Sequence, residues 1–272
     1  MKRSQFCRAG APEFTLPALS LVEGSGVEGP AGLYRSVGRP CEASPPDATL
    51  RSSEAPSLRS TRIAAAILAG GAASRWGGRP KGLVRLPGGL SIIERTIGVA
   101  ADSGIHDVAI IANDPAPYLG LGLEIVPDRR PGLGPLAGIQ AALMHFADRC
   151  DGMLVLPCDL PAITGRELSA LTRCFAEVTA PVVVAETGDS FWQPLCAIVR
   201  ADILPAVTKS LDEGQRGVYR LWREIGALPL PFPDPRPFFN INTPADLACW
   251  VLAQEEPNVP FANPPVGARH HV

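Results

Sequence analysis

The sequence predicts an α/β fold built on a mostly parallel sheet with helices over both faces. Three observations predict it. From about Arg62 to Ala253, short apolar runs alternate with longer stretches of helical periodicity. The runs are apolar throughout instead of alternating with polar residues, as strands buried on both faces are. The composition supports a substantial core: of 272 residues, 46% are hydrophobic and 19% charged.

In chain order, Ile63–Ala69 reads as a buried strand, Ile92–Ala101 as a helix and Val108–Ala112 as a second strand. Leu136–Phe146 then reads as a helix and Met153–Leu156 as a strand. Glu167–Glu177 is helical, Val182–Ala185 and Leu195–Val199 are strands, and Ala201–Leu211 is helical. Thr243, Pro244 and Asp246 have the residue types of an N-cap, first helical position and third position, so a last helix starts there. In parallel α/β sheets, ligands bind beyond the carboxyl ends of the strands, so the residues just after each strand are where chemistry is expected.

Both ends read differently. Residues 1–60 hold seven Pro, six Gly and nine Ser and show no sustained periodicity, so they are expected to be a disordered extension. Lys2, Arg3 and Arg8 give a basic start, but Glu13 and Pro17 interrupt the apolar stretch and no clean cleavage site follows. This argues against a signal or transit peptide, and an early start codon would account for the segment equally well. Residues 254–272 carry four Pro and are expected to be a disordered tail, leaving 61–253 as the folded domain. The net charge of −2 offers no general attraction to nucleic acid or an anionic membrane, so an anionic ligand needs a local site. No run of about 18 apolar residues suggests a membrane span. The seven cysteines are odd in number and form no CxxC pair, which fits reduced thiols in the cytoplasm better than a zinc or disulfide scaffold.

The first strand runs into Leu68-Ala69-Gly70-Gly71-Ala72-Ala73-Ser74-Arg75-Trp76-Gly77-Gly78-Arg79-Pro80-Lys81-Gly82. Glycines there let backbone amides face an anion, and Arg75 and Lys81 add cationic donors, an arrangement suited to a triphosphate. The loop matches neither G-x-x-x-x-G-K-[ST] nor G-x-G-x-x-G. The blander alternative is a solvated glycine turn. Four later stretches carry further candidate residues, two of them directly after predicted strands. Asn113-Asp114 follows the second strand, where an amide can pair with a nucleobase edge or simply make a turn. Asp128 precedes Gly132-Leu133-Gly134-Pro135-Leu136-Ala137-Gly138-Ile139, whose Gly134 and Gly138 allow close approach at a helix start. Asp159 ends the apolar run Met153–Leu156 plus Pro157-Cys158; it is either a hard-oxygen ligand for Mg²⁺ or the N-cap of the following helix, although Thr164 lies nearer that helix. As a ligand it would stand unpaired in the nucleotide-free protein. Cys158 beside it reads as core filler. Lastly, Asn240 and Asn242 lie in Phe238-Phe239-Asn240-Ile241-Asn242-Thr243-Pro244.

L-A-G-G-x-x-x-R-x-G-G-x-x-K-G-L, with D…GPLAGI and N-x-N-T-P downstream, resembles the molybdenum cofactor guanylyltransferase (MobA) family over about residues 62–252. The resemblance implies a three-layer, Rossmann-like nucleotidyltransferase fold. It implies transfer of GMP from GTP to the molybdopterin cofactor, with release of pyrophosphate. It assigns Leu68, Ala69, Gly70, Gly71, Lys81, Asn113, Asp128 and Asp159 to the nucleotide, Lys81, Arg75 and Asp159 to catalysis, and Asp159 to Mg²⁺. Asn240 and Asn242 fall on the acceptor side, where Gln215-Arg216-Gly217 and Phe191-Trp192 are further candidates. Molybdopterin-supplying and molybdoenzyme-chaperone proteins are the implied partners. Trp76 and Pro80 depart from the family's usual Met and Asp. Three alternatives stand beside this reading: a related nucleotidyltransferase using CTP or another phosphorylated acceptor, a non-catalytic nucleotide-binding regulator, and a pure interaction protein.

Overall fold

The computed structural model describes residues 61–70, 76–188 and 190–255. The extension expected over residues 1–60 lies outside the described residues, as does the expected tail beyond Glu255.

Seven strands form one sheet in the order β3-β2-β1-β4-β6-β5-β7. β1 (Ile63–Leu68) is central, flanked by β2 (Val108–Ile111) and β4 (Gly152–Pro157), both parallel to it. Its residues alternate strictly between two cores. Ala64, Ala66 and Leu68 pack toward α2 (Pro135–Phe146), α4 (Leu204–Asp212) and α5 (Val218–Glu224). Ala65 and Ile67 pack toward α1 (Ile92–Asp102) and α3 (Gly165–Glu177). A strand apolar on both faces thus sits between two helix layers, the three-layer architecture expected of its continuous apolar sequence. Helix α2 comes in close because it carries Gly138: a Cβ there would lie 3.3 Å from Ile111 Cγ2 and 3.4 Å from Leu68 Cδ2.

Local chemistry sets the helix ends. Ser91 and Glu94 form a reciprocal capping box on α1, and Thr164 and Glu167 form another on α3. Thr243 and Asp246 do the same for α6 (Pro244–Glu255), with Thr243 Oγ1 accepting from Asp246 N at 3.2 Å and Asp246 Oδ2 accepting from Thr243 N at 2.8 Å. Helix α6 therefore carries regular structure through Gln254 and Glu255, the first two residues of the segment expected to be a disordered tail. A small third core, Leu86, Ile92, Phe239, Ile241 and Trp250, fastens α6 to the start of α1.

Three strands differ from the sequence reading. β6 spans Phe191–Arg200 instead of starting at Leu195, and it runs antiparallel to both β4 and β5 (Val182–Thr187). Edge strands β3 (Glu124–Val126) and β7 (Leu228–Phe232) were not anticipated. β3 has only three residues. β7 contains Pro229 and Pro231, which lack the N–H of a central ladder and are tolerated because β7 is an edge. The helix expected over Ala201–Leu211 opens as a single 3₁₀ turn before α4 begins at Leu204. None of the helices among the described residues is long and apolar enough to cross a membrane. The five described cysteines are all unpaired.

Candidate active site

Four parallel strands finish in register. Val126 of β3 is paired with Ile111 of β2, Ile111 with Leu68 of β1, and Leu68 with Pro157 of β4. Two residues past each of these ends stand Asp128, Asn113, Gly70 and Asp159. The sheet register therefore sets these four residues in one row along its carboxyl edge. All four line a single cavity of about 630 Å³, which is also lined by Gly134, Pro135 and Gly138 at the start of α2.

At one end of the row, Asn113 and Asp128 hold each other. Asn113 Nδ2 donates to Asp128 Oδ2 at 2.9 Å, and Asn113 Oδ1 accepts from the Asp128 backbone N–H at 2.9 Å. Asp128 Oδ1 is buried with no hydrogen-bond partner among the described residues. A buried carboxylate oxygen left in this way is costly unless a ligand supplies a donor.

At the other end stands Asp159, with its side chain 10% exposed. Lys81 Nζ donates to Asp159 Oδ2 at 2.5 Å and to Asn242 Oδ1 at 2.9 Å. The carboxylate is thus paired in the nucleotide-free protein, against the expectation that it stands alone. Asp159 Oδ1, by contrast, is buried and has no partner among the described residues. The lysine reaches this carboxylate because its turn packs against β4: a Cβ on Gly82 would lie 3.1 Å from Cys158 Cβ. Pro80 opens that turn, its carbonyl accepting from Leu83 N at 3.0 Å. Trp76 packs on the third core. The reading of Asp159 as a helix cap does not hold, since Thr164 caps α3. Burial, and next the Asp159 charge, push the Cys158 thiol up to about 12, so it stays neutral core filler.

A second cavity of about 380 Å³ opens on the far side of Asp159. Asn240, Asn242, Phe191, Gln193 and Tyr219 line it, and it shares Asp159, Pro135, Pro157 and Leu195 with the first. Asn242 links the two cavities, lining this one while its amide oxygen accepts from Lys81, which lines the other. The Asn240–Asn242 segment is tied to Asp159 through Ile241 N–H, which donates to the Asp159 carbonyl at 3.0 Å.

Of the sequence candidates, the structure gathers Leu68, Gly70, Lys81, Asn113, Asp128 and Asp159 around the larger cavity. Ala69 is not among its lining residues. Gly71 and Arg75 lie outside the described residues. The aromatic pair splits: Phe191 lines the smaller cavity, whereas Trp192 turns into the core and donates from Nε1 to Glu186 Oε2 at 3.0 Å. None of Gln215-Arg216-Gly217 lines either cavity; Gln215 pairs with Glu224, and Gly217 is the N-cap of α5. Gln193 and Tyr219 were missed. Neither follows a strand end: Gln193 is near the beginning of antiparallel β6, which comes to this edge, and Tyr219 is on α5.

A family model for the MobA-like NTP transferase domain matches residues 65–228. A protein named molybdenum cofactor guanylyltransferase from Photobacterium profundum is 34% identical over 183 residues, covering 66% of this chain and 91% of its own. The crystal structure of molybdopterin-guanine dinucleotide biosynthesis protein A from Archaeoglobus fulgidus superposes with a TM-score of 0.59 at 23% identity, covering 70% of this chain and 98% of that one. Rv0371c of Mycobacterium tuberculosis, solved in complex with manganese, has the same fold at 16% identity, with a TM-score of 0.57 and coverage of 71% and 100%. The family model spans more than half of the chain and the guanylyltransferase relative is matched over nine-tenths of its own length, so the chain belongs to the MobA-like NTP transferase family.

Proposed function

We propose that the protein transfers GMP from GTP to the molybdopterin cofactor, forming the guanine dinucleotide cofactor and pyrophosphate. The observation that carries this reading is Asp159, placed where the two cavities meet, with one oxygen on Lys81 and the other buried and free. GTP occupies the larger cavity and the acceptor the smaller. The acceptor's terminal phosphate oxygen bonds to the α-phosphorus as the bond to the β-phosphate oxygen breaks, and the electron pair leaves with pyrophosphate. A phosphate monoester is already largely ionised near pH 7, so no general base is required. Lys81 neutralises triphosphate charge, and Asn242 holds the lysine on the side where the acceptor arrives. The resemblance adds Arg75 and Gly71 to the phosphate site.

The donor set fits a hard divalent cation such as Mg²⁺. Asp159 Oδ1 is an unpartnered carboxylate oxygen, and phosphate and water oxygens complete such a site without further side chains. Among the described residues there is no cluster of three or more His, Cys, Asp or Glu to hold an ion alone. When bound, the ion supplies charge neutralisation at the transferring phosphoryl group.

Base choice follows from Asp128. Its free Oδ1 can only accept, which suits guanine, whose N1–H and N2 amino group are adjacent donors. Cytosine offers one amino group beside two acceptors, so the CTP alternative leaves more of the site unpaired. The names of the curated relatives support guanylyl transfer as well. Within this reading the compartment is the cytoplasm, and molybdopterin-supplying and molybdoenzyme-chaperone proteins are the partners. With a net charge of −2, nucleic acid is not.

The test is pyrophosphate release with molybdopterin and each of GTP, ATP, CTP and UTP. GTP is expected to exceed the others by at least about tenfold in kcat/KM, the scale of hydrogen-bonded discrimination. CTP turning over as well as GTP would overturn the base assignment, and no release with any nucleotide would overturn the reaction.

A further inference from the structure

Ala69, assigned by resemblance to the nucleotide, does not line the cavity, and its backbone is engaged elsewhere. Its N–H donates to the Ile111 carbonyl at 2.9 Å, and its carbonyl accepts from the Tyr118 hydroxyl at 3.1 Å. Tyr118 is 2% exposed and packs in the core on the α1 and α3 side of the sheet. The larger cavity lies over the carboxyl edge of the sheet, lined by Ala112 and Cys158 of that same core and, on the opposite side, by Leu68, Ile111 and Gly138 against α2.

A trans peptide is planar, with its C=O and N–H on opposite sides. No cis peptide occurs among the described residues. Holding the Ala69 carbonyl toward Tyr118 therefore turns the Gly70 N–H the opposite way, toward the α2 side and the cavity that Gly70 lines. We propose that Tyr118 is a positioning residue for phosphate binding: its buried hydroxyl sets the Ala69–Gly70 peptide so that the Gly70 amide is aimed as a donor into the nucleotide cavity. The proposal rests on the nucleotide reading of that cavity.

The tether is rigid at its other end. Tyr118 sits in a 3₁₀ turn over Ala116–Leu121, opened by Asp114 Oδ1 accepting from Ala116 N at 3.1 Å and by Pro115 O accepting from Tyr118 N at 2.9 Å. That turn starts just past Asn113, so one hydroxyl ties the base-reading corner to the start of the phosphate loop. Burial holds the phenol well above its ordinary value, which keeps it a donor at any working pH. Without the hydroxyl the Ala69 carbonyl loses this partner and the peptide is free to rotate.

The experiment is calorimetry of GTP and of guanosine, each with Mg²⁺, on wild type and Tyr118→Phe. The variant keeps the ring, and its melting midpoint should fall by only a few degrees, as for loss of one hydrogen bond. GTP affinity should weaken about tenfold, the scale of one misaligned donor to a charged group, while guanosine, which has no phosphate, should bind as before. Unchanged GTP affinity, or equal weakening of both ligands, would overturn the proposal; the second outcome would make Tyr118 merely structural. A measurement on wild type alone checks it independently: GTP should shift the Gly70 amide resonance, and guanosine should not. A Gly70 signal indifferent to GTP would also overturn it. Absence of GTP binding to wild type would sink the nucleotide reading itself, and the proposal with it.

Discussion

The two halves of the active edge are built on opposite rules. On the side proposed to hold the nucleotide, β3, β2, β1 and β4 are parallel and end in register, so one offset past each strand end delivers Asp128, Asn113, Gly70 and Asp159 to one cavity. On the acceptor side, β6 runs against β4, with Gly152 opposite Arg200 and Val155 opposite Ala197. There the beginning of the strand, Phe191 to Leu195, faces the same edge. The site is completed by Tyr219 on α5 and by the Asn240–Asn242 loop. One half is assembled by strand register and the other by a reversal of direction plus two distant segments. Substitutions should therefore separate cleanly by half, except at the residues joining them.

Asp159 joins them most directly, and the largest effect is expected there. Asp159→Asn keeps the shape but removes the charge, and turnover should fall by on the order of a hundredfold or more, with the Mg²⁺ dependence altered. Near-normal kcat with unchanged Mg²⁺ dependence would break the comparison at its hinge. Because Lys81 pairs with this carboxylate, the melting midpoint of the variant is not expected to rise. Next in size is Lys81→Ala, which should lower kcat and raise the KM for GTP together, since in the proposed reaction the lysine meets triphosphate in both ground and transition states. Steady-state pyrophosphate release measures both.

Phe191→Ala sharpens the division. Phe191 is 42% exposed and lines only the acceptor cavity, so the KM for molybdopterin should rise by about three- to tenfold while that for GTP stays put. A matched rise in both would mean the cavities do not divide the substrates. The smallest effect belongs to packing. Gly138→Ala puts a methyl group against Ile111 and Leu68, offsetting its helix-propensity gain, and should cost about 1 kcal/mol, roughly 2–4 °C in melting midpoint.

The same division decided what the sequence could reveal. The nucleotide half was legible because each of its motifs is local: an apolar run, then a glycine or polar residue, with the parallel sheet supplying the alignment. Asp159 and Lys81 were both found this way, although their pairing was not, because it depends on Gly82 letting the lysine's turn settle on Cys158. Tyr118 carries no motif at all; its hydroxyl matters only because the fold brings it to Ala69. The acceptor half was mostly hidden. Nothing local marks β6 as antiparallel, so the rule of looking after strand ends passed over Gln193, and Tyr219 lies on a helix, where that rule does not look. It also left Gln215-Arg216-Gly217 as candidates, though none of them lines either of these two cavities. Edge strands β3 and β7 were missed for a simpler reason: one is very short and the other carries two prolines.

The central claim is that the two cavities hold the two substrates and share Asp159. A crystal structure of the protein with GTP and Mg²⁺ tests it most directly. The account predicts guanine against Asp128, the triphosphate along Gly70 and Lys81, the ion on Asp159, and the α-phosphate facing the cavity lined by Asn240, Phe191 and Tyr219. A guanine seated among those acceptor-side residues, or an ion bound away from Asp159, would contradict it.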